Sequence, residues 1–538
     1  MEPSGTRATL PHFAGWRLGA TGLLLAAMMA GVSNPTLAQA VGSAPSNAGV
    51  ASSSTVAGEV AAAQRIGQMV STNLVSADVV PSVIPQYQEL LDPSGGIATD
   101  QPNGATTTAT NVFFQALGSN ARACFTCHQP QDGWTINVQH VRDRFNSGSD
   151  PLFQPIDGAT CPTDDVSTQE AQLAAYQLLL NNGLIRIALP MPSLLQYKIT
   201  HVQDTPGGCN TNPAIGLTSQ TTGTTSVYRR PLPTTNLGFL STIMWDGREA
   251  NLLGQAADAA LIHEQAATAP NPTQQQQIVT FEGCSGALTP AACAGTAAGA
   301  GIFTAQDYDT LALYLDDGVS GGPVTLAEQM PNFFIGSNDP FGFNPNKSPF
   351  NPNVFTLFNA WGNLQGTSLE NATRESISRG QTVFNTFPIN ITGVAGLNDV
   401  LGQQTIVGSC STCHDTPNVG SHSVKMLLNT GVTGGNLNKP PILLTDGLPV
   451  FTISCVSGPL AGQQFTVTDP GAATLTGNCS DIGKLKVPGL RGLAARAPYF
   501  HNGSAPTLVY VVSFYQQRFG FKLNTQQQND LINFLNSL

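Results

Sequence analysis

Two short stretches decide the fold: CFTCH at residues 124–128 and CSTCH at residues 410–414. Each is a Cys-x-x-Cys-His pattern, which is the attachment signature of c-type haem. Two thiols at this spacing can form thioether bonds with the two vinyl groups of one porphyrin, and the histidine that follows can bind iron as the proximal ligand. The sequence therefore predicts two covalently bound haems, held by Cys124, Cys127 and His128 and by Cys410, Cys413 and His414.

A lone Cys-x-x-Cys could instead be a redox pair or half of a zinc site. A zinc ribbon would need its second cysteine pair about 15–20 residues away. Here 286 residues (414 − 128) separate the two histidines. The adjoining histidine and the second copy of the motif also favour haem.

The first 40 residues have the pattern of an export signal. Arg7 and Arg17 supply positive charge, residues 18–32 are apolar or small, and Ala-Gln-Ala at residues 38–40 fits a cleavage site. The alternative is an uncleaved membrane anchor, although the apolar run is short for a membrane span. We therefore expect a periplasmic or secreted protein with no stable membrane span after cleavage.

Cysteine content agrees with an oxidising compartment. The chain has ten cysteines, and six remain outside the haem motifs: Cys161, Cys209, Cys284, Cys293, Cys455 and Cys479. Six cysteines allow 15 pairings, and pairing of neighbours in sequence closes the shortest loops. We expect disulfides 161–209, 284–293 and 455–479, the alternative being that some of these thiols are free and buried.

Charge and composition exclude one class of partner. The formal net charge is −11, and removal of the predicted leader, which carries +1, leaves −11 − 1 = −12. An acidic surface disfavours nucleic acid. It would suit a basic redox protein, although a moderate negative charge commonly serves solubility alone.

Apolar periodicity indicates helices over residues 111–123, from about residue 376, and over residues 526–538. A helix before the haem motif and a helix at the chain end outline a cytochrome c domain. We expect a mainly α protein with two cytochrome c-type haem domains and long loop insertions.

The predicted domain order follows from the motif positions. A flexible lead-in at residues 41–90 precedes an N-terminal haem domain with insertions at residues 91–370, and residues 371–538 form the C-terminal cytochrome c domain. The Gly-, Pro-, Asn- and Phe-rich segment from Gly321 to Trp361 is expected to be a long ordered loop, over a cleft or as a surface elaboration.

Two further segments carry a family resemblance. MWDGRE at residues 244–249, followed by Gln255 and Ala256, and KVPGLRGLAARAPYFHNGSAPTL at residues 486–508 resemble segments of bacterial dihaem cytochrome c peroxidases. The resemblance spans about residues 110–538. The family includes the MauG proteins, which oxidise a partner protein, and more distant dihaem rubber oxygenases. The long segment before MWDGRE resembles the larger members.

The resemblance implies two haem domains that face each other. Haem 1, on His128, would be peroxidatic, and haem 2, on His414, would supply it with electrons. Trp245 would lie between the haems and couple them electronically, the alternative being a buried aromatic residue in a domain interface.

The distal acid of haem 1 is less clearly marked. Relatives have a glutamate twenty residues after the tryptophan, where this chain has Gln265. Glu264 and His263 precede it directly. Peroxide cleavage needs a group that accepts and returns a proton, and we expect Glu264 to fill this role, with His263 as the second candidate.

The resemblance also implies a ligand for haem 2. In peroxidases of the family a methionine lies fourteen residues after the histidine of the YFH segment, where this chain has Tyr515 after His501. The MauG proteins use a tyrosine there, and a phenolate stabilises oxidised iron. Tyr515 is thus a candidate iron ligand, the alternative being a core tyrosine.

Two further residues are weaker candidates for iron ligands, and two arginines stand where relatives bind calcium. His140 is a candidate sixth ligand of haem 1, and Met191 would fit an electron-carrier haem. Relatives hold Ca²⁺ between the domains at positions occupied here by Arg230 and Arg496. Two guanidinium groups would repel Ca²⁺, so we expect no calcium at this site.

These patterns favour a dihaem oxidoreductase that reduces hydrogen peroxide at haem 1 with electrons relayed through haem 2. The electrons would come from a small redox protein, a cytochrome c or a cupredoxin, or from an oxidisable substrate. Two alternatives remain: MauG-like or rubber-oxygenase-like oxidation of a protein or organic substrate, and a non-enzymatic dihaem electron carrier.

Overall fold

The computed structural model describes residues 80–205, 209–211, 224–283, 301–306, 321–434 and 443–538. The predicted leader, most of the predicted lead-in, and the pair Cys284 and Cys293 lie outside the described residues. Among the described residues, no helix has both the length and the apolar character needed to cross a bilayer.

Most of the helices are short. In chain order they are α1 Cys124–Cys127, α2 Val138–Ser147, α3 Pro155–Gly158, α4 Gln169–Ala175, α5 Gln177–Asn182, α6 Leu252–Ile262, α7 Pro272–Glu282, α8 Pro323–Gln329, α9 Leu369–Thr386, α10 Ala473–Thr476, α11 Leu508–Phe519 and α12 Thr525–Asn536.

The strands form small antiparallel sheets. They are β1 Val83–Ile84, β2 Tyr87–Asp92, β3 Gly95–Asp100, β4 Thr106–Thr107, β5 Ile185–Pro190, β6 Tyr197–Gln203, β7 Thr224–Arg229, β8 Phe303–Gln306, β9 Ile389–Thr392, β10 Thr405–Gly408, β11 Val450–Cys455 and β12 Gln464–Val467. The sheet orders are β1-β4, β2-β3-β8, β5-β7, β12-β11-β6 and β10-β9.

The structure is 34% helix and 17% strand, so the expected mainly α class is not confirmed. The insertions account for much of the difference. The segments that form β5, β6 and β7 are rich in β-branched residues, which favour extended backbone. They pair with one another or with the C-terminal part of the chain instead of forming loops.

The helix expected over residues 111–123 is wrong. Only a 3₁₀ turn over Val112–Phe114 forms there, and Gln115 after it is extended. Gly118 lies directly against the backbone of Glu264, where an added Cβ would come within 1.6 Å of the carbonyl oxygen. This close contact with a distant segment holds the chain in an irregular conformation.

The two predicted C-terminal helices are present, and they cross closely. Gly380 of α9 lies against the backbone of Asp530 in α12, where an added Cβ would meet the carbonyl oxygen at 1.9 Å. Phe384 and Phe534 pack beside this crossing with ring centroids 5.5 Å apart. Burial of these aromatic side chains drives the contact and supports the segment that carries residues 410–414.

Strand β6, from the insertion before residue 370, pairs with β11, which lies beyond it. Disulfides join Cys161 to Cys209 and Cys455 to Cys479, as the neighbour pairing predicts. The segment from Gly321 to Trp361 begins with α8 and then runs mostly without regular structure, anchored by fully buried aromatic side chains that include Phe355 and Trp361.

Candidate cofactor sites

The first haem motif opens onto a cavity, here called cavity 1, with about 1600 Å³ of space not filled by protein atoms. Helix α1 is a single turn, and it presents Cys124 and Cys127 from the same side of the backbone. Both thiols line the cavity and are free of disulfides. This arrangement suits two thioether bonds to one ligand.

His128 follows the turn and also lines cavity 1. Its Nδ1 lies 2.9 Å from the carbonyl oxygen of Trp134. A carbonyl oxygen only accepts, so Nδ1 carries the hydrogen and donates a hydrogen bond to it. Burial lowers the pKa of His128 to about 4, so the imidazole is neutral at physiological pH. A neutral ring with one nitrogen fixed by a carbonyl is the state in which histidine binds a metal through Nε2.

The second motif repeats this arrangement at cavity 2, which has about 1600 Å³ of unfilled space. Cys410, Cys413 and His414 line it. The Nδ1 of His414 donates to the carbonyl oxygen of Gly420, and burial lowers the pKa of His414 to about 4. Gly420 has φ +71°, and an added Cβ would lie 2.9 Å from Phe355, so this turn requires glycine.

Three cations line both cavities: Arg230 and Lys486, which are buried, and Arg496, which is partly buried. Their hydrogen bonds go to backbone carbonyls, such as those of Asn182 for Arg230 and Thr242 for Lys486. Burial lowers their pKa to about 9, 7 and 10 respectively.

Buried cations that bond only to neutral groups are costly unless an anion lies near them. A haem carries two carboxylates, an apolar ring and two vinyl groups. The thiols, the imidazole, the apolar lining and the cations of each cavity therefore fit a covalently held haem.

Trp245 also lines both cavities. Its indole Nε1 donates to the carbonyl oxygen of Arg230 at 2.9 Å, and its own carbonyl accepts from the amide of Lys486. Its ring packs edge-on against His501, with centroids 6.1 Å apart. The backbone contacts hold the indole in place between the two cavities.

Tyr515, on α11, lines cavity 2. Its ring stacks on Phe519, with centroids 6.2 Å apart and an interplanar angle of 8°. Burial and the nearby Cys413 thiol raise the pKa of Tyr515, while a hydrogen bond with Thr430 opposes this shift. Without a bound cation the phenol therefore stays protonated, and ligation to iron would have to displace its proton.

Glu264 and His263 lie together at the C-terminal end of α6 and line cavity 1. The Oε2 of Glu264 accepts from the amide of Leu117 at 2.9 Å, and Oε1 lies 3.5 Å from the Cys124 sulfur. Burial raises the pKa of Glu264 to about 7. The Nδ1 of His263 lies 2.8 Å from the Asp157 carboxylate.

Two other candidate ligands lie away from the cavities. His140 bonds to Asp132, its side chain is 40% exposed, and it is absent from the lining of cavity 1. Met191 accepts a hydrogen bond from Thr225 and packs in the cluster beside β11, outside the lining of both cavities.

Two residues in the lining of cavity 1, Glu282 and Gln255, are not predicted from the sequence as functional residues. Glu282 bonds to Thr234, and its Oε1 is buried without a hydrogen-bond partner among the described residues. Burial raises the pKa of this carboxyl to about 7. Gln255 lies on the side of α6 that lines cavity 1, and in the sequence it appears only as part of the segment that follows MWDGRE. A lone glutamate at a helix end has no sequence signal that distinguishes it from a surface residue.

A buried ion cluster lies behind Trp245. Arg229 donates through Nε and Nη2 to Asp469, at 2.7 and 3.0 Å, and through Nη1 to Asp246 at 2.5 Å. All three side chains are 1% exposed. Arg248 also contacts Asp246. The cluster joins the end of β7 to the loop after β12, two segments that lie 240 residues apart.

Comparison with known proteins matches separate parts of the chain. Residues 486–520 match the family model described as RoxA-like, cytochrome c-like. Cytochrome-c peroxidase IdrP2 of Pseudomonas sp. (strain SCT) is 33% identical over 139 residues, which is 24% of this chain and 35% of the relative. Cytochrome c peroxidase Ccp of Escherichia coli (strain K12) is 38% identical over 76 residues, which is 14% of this chain and 16% of the relative.

The chain therefore spans about a third of the length of the first of these relatives and less of the second. A solved structure, that of a MauG-like protein associated with microbial copper homeostasis, is 15% identical. It covers 80% of this chain and 87% of that chain with a TM-score of 0.32.

Proposed function

We propose, from the relationship of this chain to the bacterial dihaem cytochrome c peroxidases and MauG proteins, that it is a c-type haem oxidoreductase that reduces hydrogen peroxide. One observation carries the proposal. Two cavities each combine a pair of free thiols with a neutral imidazole, and Trp245 lines both of them.

A haem held by Cys124, Cys127 and His128 would supply an iron centre able to accept an oxygen of hydrogen peroxide. The chain's own groups define the rest of the chemistry. Apolar side chains limit water in cavity 1, and the carbonyl of Trp134 keeps the His128 ring oriented. A group at the end of α6, Glu264 or His263, would accept a proton from peroxide and return it to the departing oxygen.

Electrons would reach cavity 1 from a second haem held by Cys410, Cys413 and His414, with Trp245 as the coupling residue. The position of Trp245 in the lining of both cavities supports this role. Tyr515 is the proposed second ligand in cavity 2, since it lines that cavity and stands at the family's ligand position, fourteen residues after His501.

For the location of the enzyme we propose the periplasm. The leader-like residues 1–40 support export to the periplasm, where a small redox protein, a cytochrome c or a cupredoxin, would donate electrons. We propose that residues 91–370 form the domain that holds haem 1 and that residues 371–538 form the domain that holds haem 2. We also propose that no calcium binds near Arg230 and Arg496, because two guanidinium groups that line both cavities would repel the cation.

A second candidate is oxidation of a protein or organic substrate, as the family's MauG proteins and rubber oxygenases carry out. Tyr515 in cavity 2 and the RoxA-like match of residues 486–520 favour it. The non-enzymatic carrier is less favoured, because Met191 lies outside the lining of both cavities.

The test begins with mass spectrometry of the exported protein, which is expected to show the added mass of two haems. Absorption spectra are then recorded before and after stoichiometric hydrogen peroxide, on the resting and on the half-reduced protein. A rapid change only after half-reduction supports the peroxidase, and a rapid change in the resting protein supports substrate oxidation. Absence of haem, or two haems inert to peroxide in both states, would overturn the proposal.

A further inference from the structure

An aspartate far away in sequence orients one of the two candidate proton-handling groups. Asp157 and His263 are 106 residues apart, yet Asp157 Oδ2 lies 2.8 Å from His263 Nδ1. The Asp157 side chain is 6% exposed and the His263 side chain 24% exposed. Nothing in the sequence around Asp157 connects it with the haem motifs.

His263 is held at its backbone as well as at its ring. Its carbonyl oxygen accepts from Asn120 Nδ2 at 2.8 Å and from Arg122 Nη1 at 3.3 Å. Arg122 Nη1 also lies 3.6 Å from the Asp157 carboxylate. The same guanidinium group therefore contacts both the His263 backbone and the carboxylate that accepts from its ring.

The hydrogen bond determines which ring nitrogen carries the proton. A carboxylate accepts only, so Nδ1 of His263 is the donor and Nε2 keeps its lone pair. His263 lines cavity 1 on the same face of α6 as Gln255 and Ala259. An imidazole with an oriented, unprotonated nitrogen at a cavity is the arrangement that a general base requires.

Glu264 is placed differently. One of its carboxyl oxygens accepts from the Leu117 amide and the other lies 3.5 Å from the Cys124 sulfur. The residue is 3% exposed. Glu264 therefore lies at the edge of cavity 1 that carries an attachment thiol, with one oxygen held by a backbone amide. Among the described residues, the only hydrogen bond of the His263 ring is the one from Nδ1 to Asp157.

We propose that His263 moves protons in cavity 1 and that Asp157 is its positioning residue; this inference rests on the proposed function. Nε2 accepts the proton of one peroxide oxygen and returns it to the other, which already carries a hydrogen and departs as water. The electron pair of the O–O bond leaves with that oxygen, and the imidazole ends neutral. The other peroxide oxygen is left two electrons short. Two electrons, delivered one at a time by the one-electron donor of the proposed function, and two protons from solvent would convert it to the second water.

Other charged groups near the dyad define the setting for pH experiments. Arg122 contacts both members, and Arg186 interacts with Asp157 from strand β5. Glu264 adjoins His263 in sequence. The other charged residues in the lining of cavity 1 are Arg229, Arg230, Arg248, Glu282, Lys486, Arg491 and Arg496.

Hydrogen cyanide tests the dyad independently of turnover, because it binds ferric iron as the anion and must lose a proton in the cavity. The association rate is measured by stopped-flow absorption on the haem-loaded full chain, resting and half-reduced, between pH 5 and pH 8. We expect the rate to fall about 100-fold in H263Q and at least about tenfold in D157N. The equilibrium dissociation constant should change less than the rate in D157N.

Two variants serve as comparisons. E264Q should lose much less than H263Q, and its rate should keep the wild-type dependence on pH. D165N removes an exposed carboxylate nearby in sequence, and its rate is expected to stay within twofold of wild type. The haem-to-protein absorbance ratio reports whether each variant retains its cofactors, and H263Q serves if D157N does not fold.

The cyanide rates distinguish a wrong choice of base from a failure of the proposed function. If the wild type binds cyanide, and E264Q falls about 100-fold while H263Q and D157N stay near wild type, Glu264 is the base and the dyad is overturned. Equal small losses in all three variants overturn it as well. A wild type that binds no cyanide in either state has no open iron site, so the proposed function fails and the dyad fails with it.

Discussion

Arg229 is the residue whose loss should destabilise the fold most clearly. It is 1% exposed and neutralises two carboxylates, Asp246 and Asp469, that are equally buried. Replacing it with methionine preserves most of the side-chain volume and removes only the charge and its donors. Asp469 would retain the Gly471 amide, and Asp246 would retain Arg248.

Breaking a buried ion pair by removing one partner costs about 3–5 kcal/mol, because the other charge is left buried. The remaining donors compensate in part, so we expect R229M to lower the free energy of unfolding by about 4 kcal/mol. Urea unfolding, followed by circular dichroism and tryptophan fluorescence, measures this loss. The variant R229M/D246N/D469N should recover part of it, because no uncompensated carboxylate remains.

The matched control is R379M. Arg379 makes the same two-pronged contact, with Asp530 at 2.9 and 3.1 Å, but its side chain is 46% exposed. Water can replace it, so the loss should stay below about 1 kcal/mol. If R229M costs no more than R379M, or if the triple variant is no more stable than R229M, the charge explanation is refuted.

The effect of R229M should also depend on pH in one direction. Burial alone would raise the pKa of Asp246 and Asp469, but the Arg229 charge outweighs burial and lowers both. A carboxyl whose pKa is lower in the folded state stabilises the protein fully above its unfolded pKa of about 3.9. Without Arg229, burial raises the pKa of these carboxyls in the folded variant, so R229M regains stability as the pH falls toward about 4. The difference between wild type and R229M should therefore be largest near neutral pH, begin to shrink above about pH 4 and shrink further below it.

Three further predictions concern the cavities and the disulfides. Y515F should keep both haems, by mass, but change the absorption and electron paramagnetic resonance spectra of one of them; unchanged spectra would exclude Tyr515 as a ligand. W245F should slow turnover of hydrogen peroxide about tenfold, or about 1.4 kcal/mol in activation free energy, without loss of haem; wild-type turnover would show that Trp245 is only a packing residue. C455S/C479S removes a disulfide that spans 24 residues and should cost about 3 kcal/mol in urea unfolding, whereas a loss below 1 kcal/mol would show that the strands hold this region alone.

The candidate haem-attachment residues can be read from the sequence because their chemistry requires a fixed local spacing. Cys124, Cys127 and His128 must lie on one turn, and the sequence displays that turn directly. The C-terminal helices were predictable for a similar reason, since α12 has a regular apolar face built around Leu531 and Phe534. Local patterns of this kind depend little on the rest of the chain.

The remaining features depend on contacts between distant segments. Asp157 reaches His263 across 106 residues, and Arg229 reaches Asp469 across 240. The failed helix before Cys124 has the same origin, because Gly118 is held by the Glu264 backbone. No periodicity or spacing in the sequence reports such pairings, so the supporting groups of the site become visible only in three dimensions.

The pairing of β6 with β11 limits how this protein can be divided. A fragment starting at residue 371 would keep the second attachment motif but would leave one side of β11 without its partner strand. An open strand edge with free amides and carbonyls recruits other chains, so the isolated fragment should aggregate. Synthesis of both halves as one polypeptide avoids that exposure, because β6 has emerged before β11 is made.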